Sequence, residues 1–153
     1  EQFHTFSEPR RDPRERVITV AYYALVRIQD VKAGDDAANA QWFALDSIPQ
    51  LAFDHDQLLH EALKSLRERI HFEPIGFSVL PERFTMQQLQ NLYEAIFDTE
   101  FNSNDFAKKM LDLNILTPYD SSDVPAHDSE TRLYSFNKDG YDALKRNGIS
   151  LIF

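Results

Sequence analysis

The chain of 153 residues contains no cysteine, which removes disulfides and thiolate metal sites from consideration. Its five histidines, His4, His55, His60, His71 and His127, are scattered and give no zinc-like spacing. No apolar run is long enough to cross a bilayer and no secretory leader is visible, so a reducing cytoplasm away from membranes is the expected setting. An excess of positive charge is lacking too, the formal net charge being -9. Because phosphate neutralisation supplies most non-specific affinity for nucleic acid, such a chain binds DNA only through a locally basic face. What the sequence does have is apolar material, 42% of residues with 12% aromatic, enough to pack one ordinary domain or two small ones.

The charge is unevenly divided. Residues 70–153 hold 7 Lys/Arg against 13 Asp/Glu, and residues 1–69 hold 9 against 12. The later half is the more acidic, and any DNA contact there depends on a few cations.

Three segments carry the same helix-start signal, a capping residue with an apolar residue before it and another four positions after it: Phe53, Asp54 and Leu58; Phe84, Thr85 and Leu89; Phe101, Asn102 and Phe106. Gln57 and Gln88 complete capping boxes in the first two. The first helix, 55–70, places Leu59, Ala62, Leu63, Leu66 and Ile70 on one stripe, as expected of an amphipathic helix lying on a sheet. That sheet is expected to use 2–6, 17–28 and 41–45, with a solvated turn over 32–39 around Gly34-Asp35-Asp36. Asp54-His55-Asp56 could suggest a metal cluster, but carboxylates at the positive end of a helix dipole are better explained as caps.

Pro74, Gly76 and Pro81 interrupt the pattern and mark a junction near residue 72, giving domains 1–71 and 72–153. Beyond it, a helix over 86–97 buries Leu89, Leu92, Tyr93, Ile96 and Phe97. A second, over 103–113, buries Phe106, Met110, Leu111 and Leu113 and stops at Asn114, a residue that tolerates the left-handed region. Segments 115–119 and 132–136 alternate like a hairpin around an acidic tip, 120–131. Asn137 caps a last helix, 138–147, closed by Gly148, and the apolar end, 149–153, is expected to pack on the body or on a partner. Helix, turn, helix and hairpin is the order of a winged-helix module, whose later helix enters the major groove.

Near the start, Arg10-Arg11-Asp12-Pro13-Arg14-Glu15-Arg16 gathers four arginines in seven residues and runs into the strand-like Val17-Ile18-Thr19-Val20-Ala21-Tyr22. On its own the segment reads equally well as a self-neutralising loop or as guanidinium forks gathered for a phosphate. Its order and spacing relative to Phe53-Asp54-His55-Asp56, and the linker-like Gly76-Phe77-Ser78-Val79-Leu80-Pro81, resemble the second half of a Nudix domain joined to the winged helix of the Nudix-related transcriptional regulators. In that family an RDPRGR segment lies at the ligand face, and Glu15 stands where Gly is usual. The resemblance implies an α+β fold, a partial Nudix α/β/α sandwich with a mixed sheet followed by a winged helix-turn-helix domain, and a chain that begins partway through its first domain. It implies Arg10, Arg11, Arg14 and Arg16 as contacts for a phosphorylated sugar or nucleotide such as ADP-ribose.

The glutamate-rich signature that holds divalent cations for Nudix hydrolysis is absent from this sequence, so no catalytic or metal-ligating residue is assigned; Mg2+ is expected only if an intact Nudix domain is catalytic. Regulators of the family also carry a basic stretch at the start of the recognition helix. Here it reads Asn102-Ser103-Asn104-Asp105-Phe106-Ala107-Lys108-Lys109, with cationic character reduced by Asp105 and Ala107. The expected DNA contacts are Asn102, Ser103, Asn104, Lys108 and Lys109, with Arg132 supporting the wing. Relatives act as homodimers, so a homodimeric, ligand-sensing regulator binding double-stranded DNA is the leading expectation. The other readings are a Nudix hydrolase of ADP-ribose or another nucleoside diphosphate derivative whose catalytic helix is missing from this chain, and a non-catalytic interaction module.

Overall fold

A computed structural model describes residues 1–28, 31, 39–119 and 132–148. The expected turn around Gly34, the acidic hairpin tip and the apolar end at 149–153 lie outside the described residues. The chain divides into two compact units, Glu1–Ser65 and Leu66–Phe153. The fold class is α+β, with small sheets whose pairings are antiparallel.

In the first unit, β1 (Gln2–Phe6) pairs with β2 (Thr19–Tyr22), with an irregularity between Gln2 and His4. Phe6 and Ala21 are buried on one face, whereas Ile18, Val20 and Tyr22 are exposed on the other. A strand apolar on both faces has the sequence of a sheet interior, but only four residues of the expected 17–28 are in a ladder. The expected strand at 41–45 does not form: residues 41–44 have no regular structure and Leu45–Ser47 is a 3-10 turn. Alternation specifies which face a strand would bury, but a ladder also needs a partner's N–H and C=O groups, and no described segment supplies them.

Helix α1 (His55–Ile70) runs past the division between the units, and its last turn belongs to the second. There Leu66 and Ile70 are buried, Arg67 Nε donates to the Ile96 carbonyl at 2.7 Å, and the His71 ring lies 5.1 Å from Phe97. After a 3-10 turn at Ile75–Ser78 come β3 (Phe84–Thr85), α2 (Met86–Phe97), α3 (Ser103–Asp112), β4 (Leu116–Pro118), β5 (Leu133–Phe136) and α4 (Lys138–Arg146). The three strands form one sheet in the order β3-β5-β4. Its middle strand is β5, and β3, at two residues, is too short for alternation to mark it in the sequence.

The second unit's core gathers Phe84, Leu89, Tyr93, Ile96, Phe106, Met110, Ile115 and Tyr134. Tyr93 and Phe106 meet edge to face at 5.5 Å, a geometry that suits their quadrupoles, and burial pushes the Tyr93 hydroxyl pKa upward. Local signals set the helix starts. The Thr85 hydroxyl accepts from Gln88 N while Gln88 Oε1 accepts from Thr85 N, a complete capping box. Asp98 and Asn114 adopt left-handed φ values of 55° where α2 and α3 end.

Candidate nucleic-acid interface and arginine loop

In the first unit the four arginines divide into two committed and two available side chains. Arg11 is an internal strut: its Nε and NH2 groups donate to the two Asp54 carboxylate oxygens at 2.7 and 2.9 Å, and NH1 donates to the Thr19 hydroxyl. With its side chain 6% exposed and its guanidinium 5.8 Å from the Phe6 ring, Arg11 is turned inward. The hydrogen bonds from Arg11 hold the Asp54 carboxyl below its ordinary pKa. The Asp54 carboxylate, expected as a helix cap, is thus occupied by an arginine 43 residues earlier.

Arg14 donates from Nε and NH2 to the two Asp12 oxygens at 3.0 and 2.7 Å, and its backbone N–H donates to the same carboxylate. These bonds lower the Asp12 pKa to about 2. The Arg14 guanidinium also lies 4.8 Å from the Phe53 ring, so it is shaped by both neighbours yet remains at the surface. Arg10 and Arg16 are exposed and make no hydrogen bond or ion pair with the described residues. Among the four expected phosphate contacts, these two have uncommitted donors.

The donor set around the loop does not fit a divalent cation. Asp12 and Asp54 are each neutralised by an arginine, and the described residues contain no group of three or more His, Asp or Glu side chains placed to hold one. Among the described residues no helix is long and apolar enough to cross a membrane.

In the second unit, α3 is positioned by a polar knot at the preceding turn. Gln90, buried on α2, donates from Nε2 to Glu94 Oε1 at 2.8 Å and to the Phe101 carbonyl at 2.9 Å, while Phe101 N donates to the same Glu94 oxygen. The Gln90 hydrogen bond, followed by the one from Phe101, holds Glu94 below its ordinary pKa. Asn102 Oδ1 then accepts from the backbone N–H groups of Asn104 and Asp105, making Asn102 the cap of α3 rather than a side chain with an idle acceptor.

The helix has two distinct faces. Phe106 and Met110 point into the core, and Ser103, Asn104, Asp105, Lys108 and Asp112 are exposed. Lys109 is half-buried, and desolvation lowers its pKa from the ordinary lysine value. Arg132 is exposed at the start of β5, with its guanidinium 6.0 Å from the Tyr134 ring.

Two residues differ from the sequence reading. Leu111, expected in the core, is exposed, because it lies about 100° around the helix beyond Met110 and so leaves the inner face. Arg83, not singled out, sits 3.8 Å over the Tyr119 ring. The two flank β3 and β4, the outer strands of the sheet, so the side chain reaches across β5. No local pattern could reveal a contact between residues joined only by the sheet order.

Comparison with known proteins agrees with this geometry. Residues 76–136 match the NrtR DNA-binding winged helix domain. A curated relative, the ADPR responsive transcriptional repressor NtrR of Acinetobacter baylyi, is 29% identical over 145 residues, covering 93% of this chain and 58% of the relative. Among solved structures, a MutT/nudix family protein from Enterococcus faecalis matches with a TM-score of 0.68 at 24% identity, covering 90% of this chain and 60% of that one. Shewanella oneidensis NrtR complexed with a 27mer DNA matches with a TM-score of 0.61 at 25% identity, covering 93% of this chain and 66% of that one. The chain thus spans about three fifths of the length of these relatives.

Proposed function

We propose that this chain, which carries an NrtR-type winged-helix domain over residues 76–136, is part of a ligand-sensing transcriptional regulator that binds operator DNA and responds to a phosphorylated sugar or nucleotide of the ADP-ribose kind. The observation that carries the DNA half is the division of α3, with Phe106 and Met110 inward and Asn104 and Lys108 outward. A helix anchored by its apolar face beside a three-stranded antiparallel sheet presents a polar edge of the width a major groove accepts. Ser103 and Lys109 border that edge, Arg132 stands at the wing, and Asn102 contributes as the cap that fixes the helix start.

The ligand half rests on the arginine loop. Arg11 and Asp54 brace it, Asp12 orients Arg14, and Arg10 and Arg16 offer free guanidinium forks to phosphate oxygens. Homodimerisation and a cytoplasmic setting complete the proposal, since a twofold operator read by one helix per copy calls for two copies.

The test is operator binding by the full-length gene product, with the operator taken from a genomic selection and affinity read by fluorescence anisotropy. Lys108→Glu with Lys109→Glu reverses both cations on α3 and is expected to abolish specific binding. Equal affinity for the double variant would remove α3 from the interface, and a wild-type protein that selects no DNA would overturn the regulator reading.

A further inference from the structure

Leu111 is 45% exposed, while Phe106 and Met110 on the same helix are 2% and 0% exposed. At about 100° per residue, Asn104, Lys108 and Leu111 occupy positions i, i+4 and i+7 of one stripe on the side opposite Phe106 and Met110. The acids Asp105 and Asp112, both exposed, border that stripe along one side only. A lone surface leucine needs no explanation. This one shares its stripe with the amide and ammonium that a DNA-reading helix would direct at base edges.

We propose that Leu111 is a specificity-determining residue that packs on the C5 methyl group of a thymine in the major groove. The inference rests on the DNA-binding reading of α3 and names what that helix reads. Leucine has no donor or acceptor, so in the groove it is indifferent to the polar edges of guanine, adenine and cytosine and gains only where a methyl group covers it. Asn104 has the amide that pairs with N6 and N7 of adenine. Seven residues of helix separate Asn104 from Leu111 by about 10 Å along the helix axis, so the two side chains reach different base pairs. The operator is therefore expected to hold an adenine and a thymine methyl on the face read by α3.

Replacing thymine by deoxyuridine removes the methyl group and leaves every hydrogen-bonding edge in place, so it isolates this contact. The full-length gene product is titrated against its selected operator and against copies carrying one uracil at each thymine in turn. One position should weaken wild-type binding about three- to fivefold. Leu111→Ala should weaken binding of the all-thymine operator by a similar factor and lose the response to uracil there. Lys108→Gln, weaker overall, should keep it.

A uracil scan that is flat for the wild type overturns the inference while leaving the DNA reading intact, as does a Leu111→Ala protein that retains the same uracil penalty. If the scan is flat and Leu111→Ala instead changes the oligomeric state in sedimentation, Leu111 faces another copy of the chain and the inference fails. Absence of any operator binding by the wild type fails the DNA reading itself, a result distinguishable from the other three.

Discussion

At the scale of single residues, the arginine segment shows how identical side chains acquire different work. Arg11 is nearly sealed, with three hydrogen bonds directed at Asp54 and Thr19, so removing it strands a carboxylate that has lost most of its water. Arg10 and Arg16 have no such obligation. Arg11→Met is therefore expected to lower the melting temperature, whereas Arg10→Ala with Arg16→Ala should leave it in place and weaken the ADP-ribose binding proposed above by about 1.5–3 kcal/mol per charged hydrogen bond lost. Calorimetry on the full-length protein separates the two outcomes, and a double variant with unchanged affinity returns the loop to a solvated surface.

The same carboxylates give a pH signature. Asp12 and Asp54 both have folded-state pKa values below the ordinary carboxylate value of 3.8, so their contribution to stability is fully present above about pH 4 and is lost as pH falls, for Asp12 through about 2. Arg11→Met should flatten the part of this acid limb that belongs to Asp54. The sequence made the cluster of cations legible but not their division, because Arg11 and Asp54 are 43 residues apart and each had a plausible local role, one on a ligand and the other on a helix end.

At the scale of elements, starts and stops were legible and pairings were not. The Thr85–Gln88 box, the Asn102 and Asn137 caps and the left-handed Asn114 depend on neighbours within four residues, and all appear as read. Strand β3 and the missing ladder at 41–45 depend on distant partners. Gly140 belongs to the second kind. Its N–H donates to Asn137 Oδ1 at 3.0 Å, and Asn137 Nδ2 donates to the Asn114 carbonyl at 3.1 Å, so the first turn of α4 presses against the turn that follows α3. A Cβ at position 140 would stand 1.9 Å from the Asn114 carbonyl oxygen, a backbone atom that has no rotamer with which to escape. Gly140→Ala is expected to cost at or above the upper end of the roughly 1–3 kcal/mol typical of overpacking, despite alanine's better helix propensity. Gly148→Ala meets open space and pays only for its φ of 74°, about 1–2 kcal/mol. Urea midpoints for the two variants check the order, and a Gly140→Ala protein as stable as the wild type would mean that this junction yields.

At the scale of the whole molecule, the net charge limits how the protein would hold DNA under the proposed function. Its size and sign were fully legible in the sequence, with 7 cations against 13 acids over residues 70–153, but the placement of those few cations was not. The structure puts Lys108 outward on α3, half-buries Lys109, stacks Arg83 on Tyr119 and leaves Arg132 exposed at the start of β5. If these four side chains carry the phosphate contacts, each neutralised phosphate contributes about -0.9 to the slope of log K against log salt, so the slope should be no steeper than about -4 per bound copy. Affinity beyond that must come from base edges and apolar contact, which salt does not screen, and the protein should therefore discriminate sequences strongly for its modest non-specific affinity. Operator titrations across a series of salt concentrations measure the slope directly. Arg132→Ala should reduce its magnitude by about one while leaving the preferred sequence unchanged, as expected of a residue that positions the duplex without reading it. A slope much steeper than -4 would mean that cations other than these four hold the backbone, and a shift in preferred sequence on changing Arg132 would move that residue from the phosphates to the bases.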